Sequence, residues 1–209
     1  MKLRPGWSLV MALLGLFCAA SAQVIEFESN GLKYQTLTKR GLTLMYAHLP
    51  SHVRDFTILQ VAVSNGSAGP YTIRPVDFTF MRADGTAVRA WPAHDVVMLL
   101  MEKGGRNDVI KLVSAYEAAL YGIQHMRSTN GYESRRQAAL AEVSSTRLKA
   151  AAAASAIAFV ETKLAAGQST DGAVFFETYG KPLGDGRLVV RTNTDTFEFN
   201  PETTRPTAQ

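Results

Sequence analysis

Residues 55–65 carry apolar side chains on both faces: Phe56, Ile58 and, after a break at Gln60, Ala62 alternate with Thr57, Leu59, Val61 and Val63. A strand apolar on both sides is one covered on both sides, so this stretch predicts a central strand. Residues 32–37 and 41–47 predict two more, the second with Leu42, Leu44 and Tyr46 on one face. Pro50 places 48–52 in a loop, and residues 65–70, Asn-Gly-Ser-Ala-Gly-Pro, are dense in turn formers. Strands follow at 71–73, 77–81 and 86–91, the last two joined by Asp84-Gly85, which suits a short hairpin turn. The pattern resumes at 173–178, 187–191 and 196–199, whereas residues 23–30 read as a leader with no partner strand.

Between these runs the period changes. Residues 95–102 predict a short apolar helix stopped at Gly104-Gly105, and Asn107 is placed to cap the next one. There Val109, Leu112, Val113, Tyr116, Leu120 and Ile123 recur at spacings of three and four, the stripe of an amphipathic helix. After a loop at 128–131, residues 132–164 predict one long alanine-rich helix stopped at Gly167. Such a helix would measure roughly 50 Å, longer than a sandwich of this size. Either it breaks near Ser144-Ser145-Thr146 or part of it projects. Within it, residues 150–160 carry one polar side chain, Ser155, between Lys149 and Glu161. That run spans about 16 Å, half of what a hydrocarbon core requires, and reads as a packing seam docked on the sheets. The functional alternative leaves part of it open to another protein or a second copy.

Neither β run is large enough to bury its own apolar face, so the two should build one antiparallel sandwich. The expected fold class is α+β: a β-sandwich from 23–92 and 165–200, interrupted by a helical insertion at 93–164, with a flexible tail at 201–209. The alternative is a β-domain beside a separate helical hairpin.

Two patches carry a resemblance. The first is Phe56 through Ser67 with Tyr71-Thr72-Ile73-Arg74-Pro75-Val76-Asp77-Phe78 and the Asp84-Gly85 hairpin. The second is Leu164-Ala165-Ala166-Gly167-Gln168-Ser169 followed by Gly172-Ala173-Val174-Phe175-Phe176. Together they resemble bacterial extracytoplasmic immunoglobulin-like modules, in which a strand ends at Asn-x-Ser and a Pro-x-Asp-Phe strand leads to an Asp-Gly hairpin. Gln168 stands where that pattern carries an acidic residue. The resemblance implies a sandwich fold and export, and no activity. The helical stretch has no counterpart in it.

The first 22 residues are read as a secretory signal: Lys2 and Arg4, an apolar run at 7–17, and Ala20-Ser21-Ala22 before the cut. Cys18 lies inside it, and Phe17 before it argues against a lipid anchor. Beyond the signal there is no cysteine, so disulfides are excluded and stability must come from a core. The formal charge of +4 counts Lys2 and Arg4, which weakens the case for nucleic acid as a partner. The location expected is periplasmic or extracellular, with no transmembrane segment in the mature chain.

No motif for catalysis, cofactor or metal stands out. Gly66-Ser67-Ala68-Gly69 has the wrong spacing for a nucleophile elbow. His48 and His52 are separated by Pro50, and no glutamate follows the first as a zinc helix requires. His94-Asp95 reads as a helix start, and Asp84, Asp171, Asp185 and Asp195 as turn residues. Arg127, Arg135, Arg136, Arg147 and Lys149 read as a solvated basic helix face. The expectation is a non-enzymatic exported protein that works by protein contact or self-association, with Tyr116, Tyr121, Tyr132, Arg135 and Arg136 as contact candidates. The rival is a ligand binder or enzyme with a cleft between insert and sandwich, using His94 with those tyrosines and Arg135.

Overall fold

The computed structural model describes residues 23–50, 52–120, 131–141 and 145–200. In chain order the strands are β1 (Ile25–Ser29), β2 (Leu32–Lys39), β3 (Leu42–His48), β4 (Phe56–Asn65), β5 (Tyr71–Ile73), β6 (Phe78–Arg82) and β7 (Ala87–Arg89). Helices α1 (Ala93–Lys103), α2 (Arg106–Leu120), α3 (Tyr132–Ala141) and α4 (Thr146–Ile157) follow. The chain closes with β8 (Thr162–Leu164), β9 (Ser169–Glu177), β10 (Gly186–Arg191) and β11 (Thr196–Phe199). Two antiparallel sheets dominate, ordered β1-β2-β3-β4-β9 and β11-β10-β6-β7, with β5-β8 as a small third ladder. Among the described residues no helix is long and apolar enough to cross a membrane.

The doubly apolar stretch is central, as its pattern requires. β4 pairs with β3 on one side and β9 on the other, and its helix-facing and sandwich-facing residues separate into two cores. Leu59, Val61 and Val63 join Val174, Phe176, Phe78, Phe80, Val190, Phe197 and Phe199 between the two sheets. Phe56 and Ile58 join Ala173, Phe175, Tyr34 and the helices on the opposite face. The layers run helices, five-stranded sheet, four-stranded sheet. Because helices and sheet share one core, the picture of a detached helical hairpin is set aside.

Of the two alternatives for the stretch 132–164, the break at the Ser-Thr step is the one found. Ser145 is extended (φ −82°, ψ 133°), so α3 and α4 are separate and pack on each other. Ser and Thr compete for backbone hydrogen bonds and hold a helix poorly, and folding back covers apolar surface that a straight rod would leave in water. The helix also ends at Ile157, ahead of the expected Leu164 and Gly167. Phe159 is 1% exposed against Phe78 (5.7 Å), and its N–H bonds to Ala173 O at 2.8 Å. Burying that ring is worth about 1.5–3 kcal/mol, more than another half-turn of helix offers. Gly172 makes this crossing feasible: a Cβ there would lie 2.6 Å from Phe159 Cα. Residues 162–164, assigned to the insertion by sequence, form β8 on β5.

Two further expectations change. The 23–30 leader contains β1, turned onto β2 by Asn30-Gly31 (φ 50° and 72°), the pair most suited to a two-residue hairpin. Asp171 and Gly172 lie inside β9 instead of in a turn, because pairing with β4 continues to Ser64 opposite Ser169. The signal region 1–22 with Cys18, the tail 201–209, and Tyr121, Ile123 and Arg127 lie outside the described residues.

The alanine seam is covered by its own chain. Ala150, Ala151, Ala153, Ala154, Ala156 and Ile157 are buried, and α4 packs against α1, α2 and α3. Ser155 faces solvent.

The two patches that carried the family resemblance meet. Asn65, fully buried, donates from Nδ2 to Leu164 O (3.0 Å) and Gly69 O (2.8 Å), and its backbone bonds to Gly167 and Gln168. Gln168 Oε1 accepts from Ala165 N–H at 2.9 Å, fastening the same corner. Asp77 accepts from Arg74 N–H (2.9 Å) and from its guanidinium (2.8 Å), which fixes the single helical turn Pro75–Asp77 before β6.

Candidate functional site

Two of the three tyrosines singled out by sequence, Tyr116 and Tyr132, converge in the packed layer between helices and sheet. Tyr116 is fully buried on α2, and its hydroxyl donates to Asp171 Oδ2 on β9. Gln60 Nε2 of β4 donates to the same oxygen at 3.3 Å. Asp171 is 2% exposed. The Tyr116 ring lies 4.8 Å from that of Tyr132, whose hydroxyl donates to Glu117 Oε1 at 3.0 Å. Arg136 closes the chain with its Nε 2.9 Å from the same Glu117 oxygen, and Arg135 donates to Ser155 O at 3.3 Å. Polar pins flank this network. Tyr34 Oη donates to Ala119 O (3.0 Å), its burial raising the phenol's pKa, and Arg54 pairs with Asp108 (3.1 Å) at the start of α2. Asp108, and not Asn107, accepts the Gly105 N–H there, at 2.8 Å. The chemistry available is positional: the hydrogen bonds of Tyr116 and Gln60 to Asp171 tie the helical layer to the sheet. Among the described residues, Tyr116 and Tyr132 are buried in the core shared by helices and sheet.

The other candidates lie apart. His94 is exposed at the start of α1. Ser67 Oγ donates to Asn65 Oδ1 (2.7 Å), which makes it part of the turn. His48 sits at the sandwich rim against Tyr46 and Phe80, burial lowering its pKa, while His52 meets Thr57 Oγ1 at 3.1 Å. Asp195 accepts from Tyr71 (3.2 Å) and pairs with Arg40 (3.5 Å). Among the described residues no three His, Cys, Asp or Glu side chains gather as a metal site.

An open site lies elsewhere, between β7 and β9. The strands touch where Ala90 faces Phe176 and Trp91 N–H bonds to Phe175 O (2.8 Å). Beyond that bridge lies a cleft of about 580 Å³, walled by residues 86–91 on one side and Glu177, Thr178, Tyr179 and Lys181 on the other, with Arg82 also lining it. Arg89 and Lys181 are exposed and form no ion pair among the described residues. Arg82 spends one N–H on Leu183 O (3.1 Å). Glu177 is the one acid in the lining. A shallower hollow beyond Arg82 and Lys181 contains Asp84 and Asp185. On the far side of Gly180 a second cleft, of about 540 Å³, is lined by His52, Arg54, Arg106 and Lys111 with Asp108.

Tyr179 is the unusual residue of this site. Lys181 N–H bonds to Thr178 O (3.1 Å), and Tyr179 and Gly180 occupy the turn with φ of 54° and 73°. Asparagine or aspartate tolerates the first of these positions, and a tyrosine there is strained by about 1 kcal/mol. Burial gives no compensation, since the side chain is 73% exposed. Sequence reasoning missed Arg89, Trp91, Tyr179 and Lys181. The available signal was Tyr179-Gly180 occupying a turn where Asn-Gly is the usual pair.

No family model and no curated protein matches the chain. Among solved structures, the crystal structure of the yjhA protein from Bacillus subtilis is similar, at 9% identity over 79% of this chain and 76% of that chain, with a TM-score of 0.31. What the fold itself defines is an α+β class: antiparallel, sandwich-like sheets with a helical segment inserted in the chain between β7 and β8.

Proposed function

We propose that this chain is an exported, non-enzymatic protein of the cell envelope, built on an immunoglobulin-like sandwich, that works by contact with a partner protein at the β7–β9 cleft. The carrying observation is Tyr179: a large side chain held exposed in a left-handed backbone, beside Arg89 and Lys181, which form no ion pair among the described residues. Local strain kept without a packing return marks functional positions. The meeting of the two family-like patches at Asn65 supports the immunoglobulin-like reading. Coverage of the alanine seam by α1, α2 and α3 directs the contact away from that seam and onto the sandwich.

The test is a photoreactive phenylalanine analogue placed at Tyr179 and, as control, at Ser155, in the protein expressed in a cell that exports it. Discrete adducts from position 179 and none from 155 are expected, and an adduct of two copies of this chain would name the partner as itself. No adduct at 179, or the same adducts from both positions, overturns the reading.

A further inference from the structure

We infer that the segment taken up by this cleft is an extended acidic peptide that adds as a strand to the free edge of β7; the inference rests on the cleft being the contact surface.

The backbone of β7 sets the geometry. Arg82 N–H bonds to Thr86 O (2.9 Å) and Ala90 N–H to Phe78 O (3.1 Å), so positions 86 and 90 face β6. In an antiparallel ladder such positions alternate with ones whose N–H and C=O point outward. The outward ones here are those opposite Met81 and Thr79, namely Ala87 and Arg89. β7 is the last strand of its sheet, and beyond Ala90 its neighbour β9 gives way to the cleft. An edge with unused backbone groups beside an open gap is the template for strand addition.

Charge selects the occupant. Arg82, Arg89 and Lys181 line the gap against Glu177 alone. Trp91, half-buried with its ring on Phe56 (5.1 Å), lies next to the Ala90 bridge at the closed end, and Tyr179 stands at the open end. A strand with acidic residues on one face and an apolar residue for each aromatic fits this layout. A charged edge also discourages aggregation, which would account for Arg89. It would not account for a tyrosine in a left-handed turn across the gap.

The test is fluorescence anisotropy on the purified protein with a labelled peptide of about nine residues alternating glutamate and valine. Its controls are the same peptide with a central proline, which removes a backbone donor, and polygalacturonate as an anionic polymer without a peptide backbone. Expected are saturable binding that weakens with salt, a loss of about tenfold (1.4 kcal/mol) with the proline peptide, and a comparable loss in Arg89→Glu/Lys181→Glu. Equal binding of the proline peptide, or binding of polygalacturonate alone, overturns the strand model. If position 179 still gives adducts while the acidic peptide does not bind, the peptide class is wrong and the contact reading stands. If both are negative, both fall.

Discussion

β4 and β9 present two faces that meet their covering layers in different ways. Toward the second sheet they offer Leu59, Val61, Val63, Val174 and Phe176, met by Phe78, Phe80, Leu188, Val190 and Phe197. Large apolar side chains interdigitate there, with edge-on aromatic pairs such as Phe78–Phe159 and Tyr46–Phe199. Toward the helices the same strands offer Phe56, Ile58 and Phe175 together with Gln60 and Asp171, and the covering layer is dominated by alanine. Small side chains bring α4 close but supply little area each, and polar pins fix its position. The sandwich face is thus held by volume, and the helical face by close approach and matched hydrogen bonds.

The largest expected effect tests the volume side. Phe176 is fully buried between the sheets, and Phe176→Ala should cost about 3–5 kcal/mol by transfer and cavity formation. Urea unfolding followed by far-ultraviolet circular dichroism would read this. A midpoint close to wild type would show that the sheets collapse around the loss and that volume is not what holds this face.

Tyr116→Phe tests the other side. It removes one hydroxyl and no volume, yet takes from buried Asp171 a hydrogen bond to a charged group, worth about 1.5–3 kcal/mol. A double-mutant cycle with Asp171→Leu isolates the pair. The double variant should cost less than the sum of the singles, because an apolar pair leaves no stranded carboxylate. Strict additivity would mean that the two groups do not act together in holding the helical layer.

The two faces were not equally legible from sequence. Alternation in β2 and β3 and the two-sided burial of β4 follow from period alone, since a strand's neighbours are written into its own pattern. The helical side resisted because its determinants are long-range. Nothing near Asp171 announces a strand interior: its neighbours Ser169, Thr170 and Gly172 read as a turn, and only the Ser64–Ser169 pairing places it. Phe159 ends α4 through a contact with β9, and an alanine run offers no local reason to stop there. Of the contact candidates, Tyr116, Tyr132, Arg135 and Arg136 lie close together, the tyrosines buried and the arginines half-buried. The leader is a different case. Asn30-Gly31 is a strong hairpin signal and Ile25 and Phe27 alternate with Glu26 and Glu28, so this strand was legible and was missed only because the segment is short. The cleft was invisible because it depends on two strands parting, a property of neither strand alone.

A smaller effect, of opposite sign, separates stability from contact. Tyr179→Asn should raise stability by about 0.5–1 kcal/mol, since asparagine accepts the left-handed backbone and little burial is lost. Peptide binding should fall in the same variant. A lower unfolding midpoint would mean that the tyrosine is structural after all, and the strain argument would fail with it.

The smallest effect assigns an acid-sensitive element to the sandwich side. His48 lies at its rim, its ring near those of Tyr46 (5.8 Å) and Phe80 (6.1 Å), and burial lowers its pKa below 6.5. The native state therefore holds this proton less tightly than the unfolded chain. Stability from the neutral ring is complete above pH 6.5 and is lost as pH falls from there toward the depressed native value. His48→Phe removes the titration while keeping an aromatic ring at the rim. Urea midpoints of the two proteins should run parallel above neutrality and diverge on acidification to about pH 5, with the wild type falling faster. Because the imidazole is partly exposed, the divergence should be modest. Parallel curves over the whole range would move the acid sensitivity away from the sandwich rim.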